Sequence, residues 1–124
     1  MEKVLWIALA GALGTAARYG VATYVQRNTG SNFPWGVFTV NMAGCFLFGV
    51  VWSFSEQRGW VTENMRAVVL VGFLGAFTTF STFAFDNMQL SRASNWQFLF
   101  WNLFLSNASG IALAFLGLRA GRVF

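Results

Sequence analysis

Histidine is absent from the 124 residues, cysteine and proline occur once each, and charged side chains make up only 10%. Without histidine the chain lacks the commonest metal ligand and the side chain that most readily shuttles protons near neutral pH. Cys45, alone inside an apolar run, cannot close an intrachain disulfide and reads as a small packing residue. The scarcity of charge excludes more. A soluble domain carries about 25% charged residues, so this chain has too few to clothe a surface facing water. No Asp, Glu or Lys falls in the middle of an apolar run, which leaves a membrane proton relay nothing to run on. There is no Cys/His cluster, phosphate-binding loop, nucleophile–base pair or dinucleotide fingerprint, and the sequence therefore predicts no enzyme.

What the chain has is apolar surface: 56% hydrophobic residues, 15 phenylalanines and a mean hydropathy of +0.56. Read in windows of about 19 residues, it gives four segments long enough to cross a bilayer. They cover 4–25, 34–55, 66–86 and 96–118, and predict an all-α integral membrane protein, one domain over 1–124. The net charge of +4 is scattered at the predicted helix ends, which suits lipid head groups rather than nucleic acid. Lys3, the apolar run and Thr15-Ala16-Ala17 imitate a signal peptide. Glu2 cancels the positive start, however, and the apolar pattern resumes after Arg18, so the segment reads as a retained span.

Each span carries a few residues that stand out from the apolar background. In the first, Ala8, Ala12, Ala16 and Gly20 form an i+4 line, with Ala10 and Gly14 beside it, predicting close helix packing. Arg18 either anchors that helix by snorkelling or gives a vestibule positive charge. Pro34 suits the first turn of the second span. Asn41 lies within that span, where its amide can tie helices together or offer hydrogens to an anion; spacing alone favours the tie. The fourth span aligns Asn102, Ser106, Gly110 and Ala114 at i+4, a packing face, a polar track or both, with Phe98 expected to face outward. Basic residues divide five to three between the two sides: Lys3, Arg58, Arg66, Arg119 and Arg122 against Arg27, Arg92 and Arg18. That bias is small enough for insertion both ways.

The third span is poor material for an unbroken helix. Over residues 72–83 it reads Gly-Phe-Leu-Gly-Ala-Phe-Thr-Thr-Phe-Ser-Thr-Phe. Glycines lose entropy, threonines are stiff at χ1, and the hydroxyls compete for backbone hydrogen bonds. A break in hydrocarbon strands amides and carbonyls, so it persists only where protein, water or an ion meets them. The neutral donors near it suit a small, strongly hydrated anion: the Asn41 amide and the hydroxyls of Thr79, Ser81 and Thr82. A phenyl ring's edge carries the positive part of its quadrupole, so Phe80 or Phe83 can face an anion edge-on. With no fixed positive charge at the centre, binding stays weak enough for release.

These residues resemble the small fluoride channels of the Fluc (CrcB) family over nearly the whole chain. The resemblance rests on Gly11-Ala12-Leu13-Gly14 with Arg18, on 36–44 (Gly-Val-Phe-Thr-Val-Asn-Met-Ala-Gly), and above all on 72–83. It implies an antiparallel, dual-topology homodimer with two fluoride pores along the subunit interface. It implies that Asn41, Phe80 and Phe83 line the pore and that a polar track follows over Ser81, Thr82 and Ser106. It further implies a structural Na⁺ on the dimer axis, held by backbone carbonyls of Gly75 and Thr78 from both subunits. Asn102 departs from the family, which often has tyrosine there. The expected function is passive fluoride export across the cytoplasmic (inner) membrane of a microbe, by a multi-pass protein whose partners are fluoride, lipid and its own second copy. A proton-coupled small multidrug-type transporter would need a carboxylate in the first span, where this chain has none. A non-conducting assembly subunit would have no use for the weak point at 72–83.

Overall fold

The computed structural model describes residues 1–59 and 61–123. They form α1 (Glu2–Thr29), α2 (Trp35–Gln57), α3 (Glu63–Arg66), a π-helical stretch (Ala67–Leu74), α4 (Gly75–Phe77), α5 (Ser81–Arg92) and α6 (Trp96–Val123). Four helical stretches are long and apolar enough to cross a membrane: α1, α2, the composite run Glu63–Arg92, and α6. Each outruns its apolar window, because helix propensity continues into the polar ends after hydrophobicity has stopped. The protein is a multi-pass membrane protein.

Local chemistry sets the ends. Gly30 adopts φ 60°, the left-handed conformation that closes α1 without a Cβ penalty. The Gln26 side chain then ties the turn. Its Nε2 donates to the carbonyls of Ser31 and Phe33 at 2.9 and 3.0 Å, and its Oε1 accepts from the Gly36 amide at 3.0 Å. Thr62 caps α3 by accepting from the Met65 amide, and the Asn95 Oδ1 accepts from the Phe98 amide at the start of α6.

The first span packs differently from the sequence expectation. Gly14 is the buried residue of α1, while Ala8, Ala12, Ala16 and Gly20 face outward. The small-residue line is therefore not the face that packs within the chain; Gly14 and its neighbour Ala10 are, against the π-helical stretch at Phe73 and Gly72. Spacing identifies a line of small residues but not which of two adjacent lines turns inward. Phe98 also departs from expectation. It is half-buried and meets buried Phe33 edge-on, with ring centroids 5.6 Å apart. Phe33 joins Trp35 and Phe38 in the same cluster, so the aromatic contact replaces the lipid-facing role.

The most extensive packing is between α2 and α6. It depends on glycines at the crossing, Gly49, Gly117 and Gly121. A Cβ on Gly49 would run into the Ala114 carbonyl and the Leu118 amide, and one on Gly117 into the Phe46 carbonyl. Both obstacles are backbone, which cannot rotate away. Gly49→Val should therefore destabilise the fold by about 1–3 kcal/mol through overpacking. Gly59→Ala, at an exposed turn with nothing within 4 Å of the added carbon, should stay within about 0.5 kcal/mol of the parent. Thermal unfolding in detergent checks the pair, and equal midpoints for the two variants would refute the contact.

Candidate functional site

The helix of the third span stops after Phe77 and restarts at Ser81. Thr78 is extended, at φ −89° and ψ 159°, and Phe80 is already back in the helical region at φ −88° and ψ −38°. The Thr78 amide and hydroxyl both donate to the Leu74 carbonyl, at 3.0 and 2.9 Å. The Thr78 methyl occupies the space that Gly44 leaves on α2, where a Cβ would collide with it.

Asn41 closes the gap from α2. Its Oδ1 accepts from the Thr79 amide at 2.8 Å, and its Nδ2 donates to the Thr79 carbonyl at 3.0 Å. One side-chain amide thus replaces both helical partners of a residue stranded between two helices, which is the tie that spacing favoured. The second Nδ2 hydrogen makes no bond among the described residues. The Thr79 hydroxyl caps α5 by accepting from the Thr82 amide at 3.2 Å, and it donates to the Thr82 hydroxyl at 3.3 Å. The hydroxyl expected among the anion donors thus meets partners within the chain. Ser81 Oγ lies 3.4 Å from the same oxygen.

The interruption has opposite polarity on its two sides. Among the described residues no hydrogen bond reaches the carbonyls of Gly75, Ala76, Phe77 or Thr78, the four acceptors that a helix C-terminus leaves over. Across the gap, the amides of Phe80, Ser81 and Phe83 find no acceptor among the described residues. Carbonyl oxygens at a helix end favour a cation and free amides at a helix start favour an anion.

An open groove of about 390 Å3 runs beside the interruption, lined by Asn41, Thr78, Thr79, Phe80, Phe83 and Ser106. Met42, Cys45 and Phe48 supply apolar wall. The Phe80 and Phe83 rings are 5.8 Å apart and tilted by 47°. Phe83 is half-buried, but Phe80 is 78% exposed. Ser81 and Thr82 sit on the first turn of α5 outside this lining, and exposed Gly75 lies one turn before Thr78. Arg18 is not part of the groove; it is half-buried on α1, and its Nε is buried without a partner among the described residues. No group of three His, Cys, Asp or Glu side chains able to hold a metal occurs among the described residues.

One part of the neighbourhood escaped sequence reasoning. Asn87, buried at 9% exposure, donates from Nδ2 to the Phe83 carbonyl at 3.0 Å and accepts from Asn102 at 2.9 Å. The signal available was its position one turn after Phe83. It was hidden because the apolar window ended one residue earlier, at Asp86.

The Asn41 tie predicts a specific loss. Asn41→Leu leaves the Thr79 amide and carbonyl unpaired, at about 1–3 kcal/mol for each group that stays buried. Thr79→Ala removes only the cap, at about 1 kcal/mol. Thermal unfolding in detergent should therefore rank Asn41→Leu below Thr79→Ala, and the reverse order would show that the tie is not what holds the interruption.

Comparison with known proteins follows the same lines. The family model described as CrcB-like protein, Camphor Resistance (CrcB), matches residues 5–118. The chain is 47% identical over 122 residues to the fluoride-specific ion channel FluC of Nitrosococcus oceani, covering 98% of each chain. It is 46% identical over 122 residues, again 98% of each, to the protein of that name from Desulforapulum autotrophicum. With the one from Nitratidesulfovibrio vulgaris it shares 46% identity over 125 residues, 99% of each. The family match over most of the chain and the near full-length identity agree, and the chain belongs to the CrcB-like family.

Proposed function

We propose that this protein is a passive fluoride-selective channel of the cytoplasmic (inner) membrane, working as an antiparallel homodimer with two pores. The family is one of ion channels, and the protein is not an enzyme. The observation that carries the reading is the groove beside the interrupted third span, walled by uncharged polar side chains and by a phenylalanine pair. Fluoride is small and strongly hydrated, so entry requires substitutes for its water. Asn41 has one Nδ2 hydrogen beyond the Thr79 tie, and the first turn of α5 adds unpaired amides. Phe80 and Phe83 offer ring edges, and Ser81, Thr82 and Ser106 extend the polar surface beyond them. Arg18 raises the local potential at an entrance without charging the path itself.

A second copy supplies what the single chain lacks. Phe80 is an apolar ring left 78% exposed, and the outward line Ala8, Ala12, Ala16 and Gly20 is a surface that another helix can approach closely. The small asymmetry of basic residues permits the two copies to insert in opposite senses. The residues at the interruption also fit a structural Na⁺. The Gly75 and Thr78 carbonyls accept no hydrogen bond, no carboxylate accompanies them, and carbonyls of two copies brought together would repel each other without a cation. Oxygen ligands without carboxylates suit a monovalent ion better than Ca²⁺ or Mg²⁺. When bound, the ion would neutralise that repulsion and set the spacing of the copies.

Fluoride efflux from proteoliposomes tests the reading. The parent should release fluoride and retain chloride, and gel filtration with stoichiometry in detergent should give two subunits. Phe80→Ile keeps most of the ring's volume but has no positive edge. It should remain dimeric while efflux falls by orders of magnitude. Phe115→Ile, on the exposed face of α6, should leave efflux near the parental rate. A Phe80→Ile protein that conducts like the parent would move the ion path away from the ring.

A further inference from the structure

Four groups behind the groove are joined by hydrogen bonds whose direction is determined from one end. The Phe83 carbonyl is an acceptor and nothing else. The Asn87 amide 3.0 Å away must therefore turn Nδ2 toward it, since the flipped amide would set oxygen against oxygen. That leaves Asn87 Oδ1 facing Asn102, which must answer with Nδ2, at 2.9 Å. Asn102 Oδ1 then faces Ser106, 3.2 Å away, and only the hydroxyl proton can complete that contact. Asn102 is 1% exposed and Asn87 9%, so no bulk water is at hand to relieve a wrong orientation. Of the three side chains in the series, Ser106 is the one that lines the groove.

We propose that the Asn87–Asn102 pair sets the proton direction of Ser106, so that this hydroxyl meets the groove with its lone pairs and not as an anion donor. Asn87 and Asn102 are then positioning residues of the ion path. The inference rests on the channel reading for its consequence, though not for its geometry. A hydroxyl presenting lone pairs attracts the hydrogens of water accompanying the ion and does not itself bind the anion. A serine free to donate would hold the anion longer. The arrangement thus limits retention at this point of the wall, and it depends on an asparagine at position 102.

Four proteins test it: the parent, Ser106→Ala, the double variant Asn87→Leu/Asn102→Leu, and the triple variant. Replacing both asparagines leaves neither amide without its partner and releases the Ser106 proton. The half-saturating fluoride concentration of efflux should therefore fall severalfold in the double variant, and the triple variant should lose that fall. An unchanged half-saturating concentration in the double variant, or a fall that persists in the triple, overturns the proposal. Unfolding midpoints of the same four proteins in detergent give a readout independent of conduction. Ser106→Ala should lower the midpoint in the parent, where it strands Asn102 Oδ1, and should not lower it in the double variant. Equal lowering in both backgrounds means that Ser106 does not donate to Asn102. If the parent carries no fluoride at all, the channel reading fails, and the unfolding cycle still decides the direction of the hydrogen bond.

Discussion

A helix that stops and restarts among apolar side chains must find partners for the amides and carbonyls it releases, and the structure is arranged around that requirement. Helical bonding lapses over Thr78–Phe80, and one residue of the gap, Thr79, is served in full. Asn41 takes its amide and its carbonyl, and its own hydroxyl caps the next helix. Leaving either backbone group unmet in a buried setting costs about 1–3 kcal/mol, so the tie makes the interruption tenable. It serves only Thr79. The carbonyls of Gly75 to Thr78 and the amides of Phe80, Ser81 and Phe83 keep their polarity unspent among the described residues, and those are the groups from which a site for ions can be built.

The tie in turn constrains the second helix. Asn41 reaches Thr79 only if α2 lies close to the gap, and Gly44, one turn on, must carry no side chain for the Thr78 methyl to fit. Farther along the same helix Gly49 meets the backbone of α6, and Gly117 of α6 meets the Phe46 carbonyl of α2. Small residues at these crossings let two backbones approach where the hydrophobic effect between helices is weak, as in lipid. The α6 face so positioned also delivers Ser106 to the groove and Asn102 to the buried polar series behind it.

Composition and local chemistry made the four apolar runs and the weak point of the third visible in the sequence, because both are properties of neighbouring residues. Packing partners were less legible. Which of two small-residue lines on α1 turns inward depends on where the π-helical stretch lies, and nothing within α1 encodes that. Phe98 is drawn inward by Phe33, 65 residues away in the chain. The two readings of Asn41 could not be separated by spacing, since both need an amide at depth; only the position of Thr79 separates them. Asn87 was missed for a related reason. A hydropathy window ends where polarity begins, and a buried asparagine beyond it is then read as part of the solvated end.

The same unsatisfied surface that makes the interruption costly within one chain is what would make it useful in a pair, on the reading proposed here. A single copy leaves Phe80 78% exposed and Gly75 exposed beside carbonyls that accept nothing. Burying that ring against lipid would satisfy the hydrophobic effect but not the carbonyls, since lipid tails offer no hydrogen-bond donor or cation. Burying the carbonyls against a second copy alone would set like dipoles face to face. A second copy with a cation between satisfies both, and leaves the amide-rich start of α5 and the Phe80–Phe83 pair at the margin of the contact. The neutral character of that margin follows from the composition noted at the outset. With no acidic or lysine side chain in the middle of a span and Arg18 outside the groove, that margin would meet a dehydrated anion through dipoles and ring edges, which bind weakly enough for release.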